Sequence, residues 1–335
     1  MFAPSLLPAG PVCVDIAGTT LTDHEIERLQ HPLTGMVILF TRNYTDREQL
    51  KALTASIHAV RPAILIAVDH EGGRVQRFRS QFTEVPAMAT LAQDEQAEMR
   101  FREAGWVLAS ELRDCGVDLT FAPVLDIDYG RSQVIGTRSF GSTPERVTRH
   151  AQAFIDGLTE AGMTNCGKHF PGHGWAQADS HVAKPYDERS LEAVRADMLP
   201  YQALHGLHSV MTAHVAYAAF DNELATFSSA LLKGELRERL GFDGLIFSDD
   251  LTMKAAATDS IVDRAERALA AGCDMVLVCN APEQADELLA GLHWERSPQF
   301  ERRFARLKPQ PRRVSSTQLA QAQQCMKTFS PNQLA

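Results

Sequence analysis

The sequence predicts an α/β fold: a single (β/α)8 TIM-type barrel with room for irregular strands and no second domain. Two observations carry that prediction. Short β-branched or apolar runs alternate with longer segments of helical period, the pattern of a parallel sheet wrapped by helices. Polar residues of chemical use fall at the C-terminal ends of those runs, and a barrel gathers such positions on one rim, where its active site lies. An open doubly wound sheet usually has fewer strands and has edge positions.

Eight runs qualify as strands: Pro11 to Ile16, Met36 to Phe40, Ala63 to Val68, Asp118 to Pro123, Asn165 to Phe170, Ser209 to His214, Gly244 to Ser248 and Asp274 to Cys279. At or just past their ends stand Asp15, Thr41-Arg42-Asn43, Asp69-His70-Glu71, Asp126, Lys168-His169, His214, Asp249-Asp250 and Asn280.

Between the strands, Asp46 to Val60 carries Leu50, Leu53, Ile57 and Val60 on one face, with Asp46 placed as N-cap. Thr143-Pro144 opens another helix through Val147, Ala151, Phe154, Ile155 and Leu158, ending near Gly162. Asp94 to Cys115, Leu191 to Leu207, Ser228 to Leu240 and Ile261 to Ala271 read the same way. Two further helical stretches are expected beyond Glu283, while Pro309, Pro311 and Ser330 to Ala335 read as loop and frayed tail. The expected organisation is one catalytic domain over residues 1–335, with a core to about 308 and a C-terminal helix and tail after it.

Of the 335 residues, 44% are hydrophobic and 22% charged, which suits a globular chain with a sizeable core. A formal charge of -9 disfavours nucleic acid as the main partner. Cys13, Cys115, Cys166, Cys273, Cys279 and Cys325 lack the paired spacings of a zinc site and the density of a disulfide scaffold, so buried free thiols in a reducing compartment are expected. No signal peptide or membrane span is legible, and the expected location is cytoplasmic.

The segment Asn165 to His181 is the richest in chemistry. It holds Lys168, His169, His173, Asp179 and His181, and Pro171, Gly172 and Gly174 end any regular structure after Phe170. A carboxylate two residues from an imidazole, as in Asp179-Ser180-His181, can fix its tautomer and raise its basicity, which suits proton transfer. Asp69 and Arg77 flank the pair Gly72-Gly73, which would let a ligand approach the backbone closely; both side chains could hold sugar hydroxyls. Asp249, at a strand end, suits a reacting role and Asp250 a supporting one, the plain alternative being an N-cap for a helix over Leu251 to Ala256. Two other classes stay open: a metal-dependent barrel hydrolase drawing ligands from His169, His173, His181, His214 and Asp249, and a non-catalytic sugar-binding barrel.

Taken together, Asp69-x-Glu71-Gly72-Gly73-Arg74-Val75-x-Arg77, Lys168 through Gly174, Asp179-Ser180-His181 and Phe247-Ser248-Asp249-Asp250 resemble glycoside hydrolase family 3, in its bacterial cytoplasmic β-N-acetylglucosaminidase branch. The motifs occur in the family's order along nearly the whole chain. The resemblance implies Asp249 as nucleophile, His181 as acid/base with Asp179 assisting, and Asp69, Arg77, Arg138, Lys168 and His169 as sugar-binding residues. It implies no metal, no cofactor and no second domain, a monomer, and a small carbohydrate or muropeptide substrate rather than a nucleic acid or membrane. His70 departs from the family, where Gln is frequent, and touches no assigned role.

Overall fold

The computed structural model describes residues 7–177, 185–257, 259–311 and 315–329. The eight barrel strands are β1 (Val12–Asp15), β2 (Thr34–Leu39), β3 (Leu65–Val68), β4 (Leu119–Thr120), β5 (Cys166–Phe170), β6 (Ser209–Thr212), β7 (Leu245–Asp250) and β8 (Met275–Val278). All pairings are parallel and run β4–β3–β2–β1–β8–β7–β6–β5. The ring closes between β4 and β5 through isolated bridges, Leu119 to Thr164 and Val124 to Lys168. The run expected as a strand over Asp118 to Pro123 is therefore regular only at Leu119–Thr120. Pro123 has no N–H to give a ladder, yet the carbonyls of Ala122 and Pro123 still accept from Cys166 and Lys168, at 2.9 and 3.1 Å.

Alternation along the strands sorts the core into two layers. Cys13, Met36, Ile38, Leu65, Ala67, Cys166, Leu245, Phe247, Met275 and Leu277 fill the barrel, and Phe121 meets Phe247 edge-on inside it. Val12, Val14, Val37, Leu39, Ile66, Val68, Ile246, Val276 and Val278 face outward to the helices. Phe300, Phe304 and Leu307 belong to the interior cluster, so the helix Pro298–Ala305 stoppers one end of the barrel. The other end is left for the polar rim.

The helices start where their caps dictate. Asp46 accepts from Gln49 N at 2.9 Å ahead of Arg47–Val60, and Thr143 caps Pro144–Glu160. Helices Ala97–Asp114 and Pro144–Glu160 approach so closely that a Cβ at Gly105 or Gly157 would lie 2.2 or 2.1 Å from a carbonyl oxygen of the other. The single helix expected over Leu191 to Leu207 is two, Leu191–Asp197 and Leu199–Ala203, because Pro200 cannot donate within a continuous helix. Among the described residues, Pro282–Gly291 follows β8, and two further helices, Pro298–Ala305 and Ser316–Lys327, lie beyond Glu283 as expected. The last packs on Ala97–Asp114, with Gln323 donating to Glu111 at 2.9 Å. All six cysteines are free and buried. No helix among the described residues is long and apolar enough to cross a membrane.

After β3 the chain folds into a small antiparallel hairpin, His70–Gly72 against Val75–Gln76. Gly72 and Gly73 serve its turn: they take positive φ of 99° and 56°, and a Cβ on them would strike Pro86 and Ala87 at 2.8 and 2.9 Å.

His70, only 1% exposed, packs against Phe78 and Phe82, and its Nδ1 has no hydrogen-bond partner. Burial, helped by Arg79 and Arg77, pushes its pKa down to about 3. A histidine depressed in this way contributes stability that is complete above its unfolded value near 6.5 and is lost as pH falls toward about 3. Replacing it with a side chain that does not titrate should remove that share. Thermal melts of His70→Gln are expected to show a shallower fall of Tm between about pH 6.5 and 3 than the parent protein; parallel curves would show that His70 carries no such linkage.

Candidate active site

The inward set of each strand continues past the apolar layer and turns polar. Leu65 and Ala67 are followed by Asp69, Cys166 by Lys168, and Leu245 and Phe247 by Asp249, each two residues on and so pointing the same way. These side chains line a cavity of about 560 Å³ at the open end of the barrel, a size suited to one sugar unit. Arg77, Arg138, His169 and His173 share its wall.

Five charges lock together on one side. Lys168 Nζ donates to Asp69 Oδ1 at 2.7 Å and pairs with Glu71 Oε1 at 2.7 Å. Arg138 grips Glu71 with two bonds, Nε to Oε2 at 2.8 Å and Nη2 to Oε1 at 2.7 Å. Arg77 reaches the second oxygen of Asp69 at 3.3 Å. Burial alone would raise the pKa of Asp69 and Glu71, but the adjacent cations outweigh it and hold both carboxyls below their usual range. Lys168 moves the opposite way: burial would lower it, yet the two carboxylates hold its pKa above normal.

A second anchor is Asp126, which is fully buried. One oxygen accepts from His169 Nδ1 at 2.7 Å, which fixes the tautomer and leaves Nε2 as the free ring nitrogen. The other accepts from the backbone N–H of His169 at 3.2 Å and of His173 at 2.6 Å. Burial is again outweighed, here by His169, and Asp126 stays below the usual carboxylate range.

Asp249 and Asp250 divide their work. Asp249 Oδ1 accepts from the Asp250 amide at 2.8 Å. Burial would raise its pKa, but His214, His169 and Lys168 together with that amide hold it ionised, below the usual range. Asp250 accepts from Thr252 N at 3.0 Å and Cys279 N at 3.2 Å, tying the end of β7 to β8, and burial pushes its pKa up to about 6. The segment after it forms turns rather than the helix considered from sequence. His214 donates from Nε2 to the Asp250 carbonyl at 2.9 Å and meets Thr226 Oγ1 through Nδ1 at 2.8 Å.

The structure thus brings together Asp69, Arg77, Arg138, Lys168, His169 and Asp249 around one cavity. Asp179 and His181 lie outside the described residues. Arg138 lines the cavity while three of its five N–H groups bond within the protein, two to Glu71 and one to Val134 O at 3.2 Å. Glu71, Asp126 and Thr226 are supports to which the sequence assigned no role, and His214, considered there only as a possible metal ligand, is a fourth. Glu71, Asp126 and His214 stand at strand ends in the sequence, which was the available signal; Thr226 gave none. Among the described residues no three or more His, Cys, Asp or Glu side chains are grouped to hold a metal ion.

A parallel barrel with an ionised carboxylate and a buried ion cluster sharing one cavity at its mouth is a frame suited to a glycoside-processing enzyme. Residues 13–307 match the glycosyl hydrolase family 3 N-terminal domain, and the chain belongs to that family. It is 51% identical over 308 residues to the beta-hexosaminidase of Methylobacillus flagellatus, covering 89% of this chain and 88% of that one. To the beta-hexosaminidase of Bordetella parapertussis it is 54% identical over 315 residues, covering 91% and 89%. Among solved structures, NagZ from Neisseria gonorrhoeae in complex with N-trifluoroacetyl-D-glucosamine superposes with a TM-score of 0.92 at 45% identity, over 97% of this chain and 99% of that one. The chain is a glycoside hydrolase of the β-hexosaminidase kind.

Glu71 sits between two buried cations, so removing its charge leaves Arg138 and Lys168 undercompensated. Glu71→Gln is expected to cost about 3 kcal/mol of stability by denaturant unfolding, since breaking one partner of a buried ionic network costs about 3–5 kcal/mol. It should also raise KM by loosening Lys168. An unchanged unfolding midpoint would mean that solvent already screens the cluster.

Proposed function

We propose that the chain is a retaining exo-β-N-acetylglucosaminidase that removes terminal β-linked N-acetylglucosamine from peptidoglycan fragments, GlcNAc-1,6-anhydro-MurNAc with or without its peptide. The observation that carries the reading is the position of Asp249: an ionised carboxylate on the inner face of β7, in the same cavity as the Asp69–Lys168–Arg77 group. The solved relative with N-trifluoroacetyl-D-glucosamine supports an N-acylated amino sugar as the unit that fills such a cavity.

Hydroxyls both donate and accept, and Asp69, Arg77, Lys168 and the free Nε2 of His169 supply the matching partners. With the sugar held there, Asp249 attacks the anomeric carbon and the glycosidic bond breaks as its oxygen takes a proton from His181, oriented by Asp179. Water, deprotonated by the same His181, then attacks the glycosyl ester and frees the sugar with its configuration retained. Gln177, the last described residue before Asp179 in the sequence, lines the cavity. Trp175, two residues earlier, has the guanidinium carbons of Arg131 and Arg189 at 3.8 and 4.9 Å from its ring centroid. The reading needs no metal and no cofactor. It places a monomer in the cytoplasm acting on a small carbohydrate.

The first test is an aryl β-N-acetylglucosaminide assayed beside the matched aryl β-glucoside, with turnover of the former expected to dominate and to survive exhaustive chelation. Asp249→Ala should lower kcat by on the order of 10⁴-fold or more. His181→Ala should cost about 10²–10⁴-fold on a natural leaving group and much less on an activated one. Equal losses on both leaving groups would remove the acid role, and lost activity restored by zinc would replace the metal-free reading.

A further inference from the structure

Four Lys and Arg side chains line the cavity, and three of them have carboxylate partners: Arg77 meets Asp69 at 3.3 Å, Lys168 meets Asp69 and Glu71 at 2.7 Å each, and Arg138 meets Glu71 at 2.7 Å. Arg74, the fourth, forms no salt bridge among the described residues, and its guanidinium donates through Nη2 to the carbonyl of Val134. With five N–H groups on a guanidinium, most of this fork is left for something outside the chain. Its position is nonetheless set. Arg74 stands at the turn of the hairpin after β3, where the Gly73 N–H donates to Val85 O at 2.8 Å and the Gly73 carbonyl accepts from Arg79 Nη2 at 2.7 Å. The Val134 carbonyl also accepts from Arg138 at 3.2 Å, so the tip of the Arg74 side chain is fastened to the cavity wall. Lys168 and Glu71 are buried whereas Arg74 is exposed, which puts it at the lip of the cavity and them at its floor.

We propose that Arg74 binds a carboxylate on the leaving group and so selects substrates whose aglycone is anionic, an inference that rests on the exo-N-acetylglucosaminidase reading above. The cavity, at about 560 Å³, holds one sugar unit, so once the terminal sugar fills it the rest of the substrate lies at the lip. Among the described residues of the wall, Arg74 is the cation there whose charge no carboxylate of the protein offsets. Its planar fork matches a carboxylate through two parallel N–H to oxygen bonds, a geometry a neutral hydroxyl does not use in full. The fragments proposed as substrate carry that group close to the scissile bond. MurNAc bears a lactyl acid, and a peptide joined to that acid brings carboxylates of its own. A pair formed at an exposed lip is weakened by salt, and it acts on the choice of aglycone more than on bond breaking.

The test compares kcat/KM for GlcNAc-1,6-anhydro-MurNAc as the free lactyl acid, as its neutral methylamide, and with an alanyl-glutamate dipeptide on the lactyl carbonyl. The parent protein is expected to favour at least one acidic form over the methylamide by about 3–10-fold, the scale of one charge-assisted pair at an exposed site, and Arg74→Ala to bring that ratio close to one. The form whose ratio falls identifies the carboxylate as that of the lactyl group or of the peptide. Arg74→Lys, which keeps the charge and loses the fork, should retain part of the preference. Raising the salt from about 0.05 to about 0.5 M should shrink the preference of the parent. Each ratio is insensitive to the fraction of folded protein. Ratios of one in the parent, or ratios unchanged in Arg74→Ala, overturn the proposal. If the parent cleaves an aryl β-N-acetylglucosaminide and none of the three disaccharides, the peptidoglycan-fragment reading has failed instead, and if it cleaves neither kind the N-acetylglucosaminidase reading has failed.

Discussion

The rest of the site depends on Lys168 being held between two carboxylates. Its ammonium is buried at the end of β5, where desolvation alone would favour the neutral amine, and Asp69 and Glu71 at 2.7 Å each keep it charged. The consequences spread across the barrel mouth. Glu71 is presented by the hairpin after β3 and clamped from the far side by Arg138, so β3, β5 and the loop carrying Arg138 are tied by charge instead of by sheet hydrogen bonds. Three cations against two carboxylates leave this cluster one positive charge in excess, and the cavity it faces contains Asp249. A single ionised carboxylate balances that excess.

Asp126 plays the corresponding part for the chain leaving β5. By accepting two backbone N–H groups and one imidazole N–H, it sets the path of residues 169–173 and the tautomer of His169 together. Asp250 and His214 do the same for Asp249, fastening the end of β7 so that it keeps the inward direction that strand alternation gives it. Lys168, His169 and Asp249 are thus each backed by a neighbour whose hydrogen bonds are spent within the protein. Preorganisation of this kind is what lets a site act without rearranging its charges during the reaction.

Much of this was legible in the chain itself. Strand positions showed because barrel strands are short and apolar on both faces, and Asp249, Lys168 and Asp69 showed because a polar residue two positions beyond an inward apolar one continues the same face. Helix starts at Asp46 and Thr143 showed because capping is local chemistry. What failed was non-local. The brevity of β4 is set by how Pro123 meets β5, which is not visible in the local sequence. Arg138 was legible as a site residue, but its engagement with Glu71 required the two loops to be placed in space. Thr226 lies in a 3-10 turn with no polar pattern around it, and only the fold brings it under His214.

The central claim is that Asp249 alone supplies the attacking oxygen. The most direct measurement is to incubate the protein with a fluorinated N-acetylglucosaminyl substrate that forms its ester quickly and hydrolyses it slowly, and then to map the added mass by peptide mass spectrometry. The account predicts one sugar per chain, on the peptide containing Asp249, absent from Asp249→Ala. A label on another carboxylate such as Asp69, Glu71 or Asp126, or release of product with inverted configuration and no label, would contradict it.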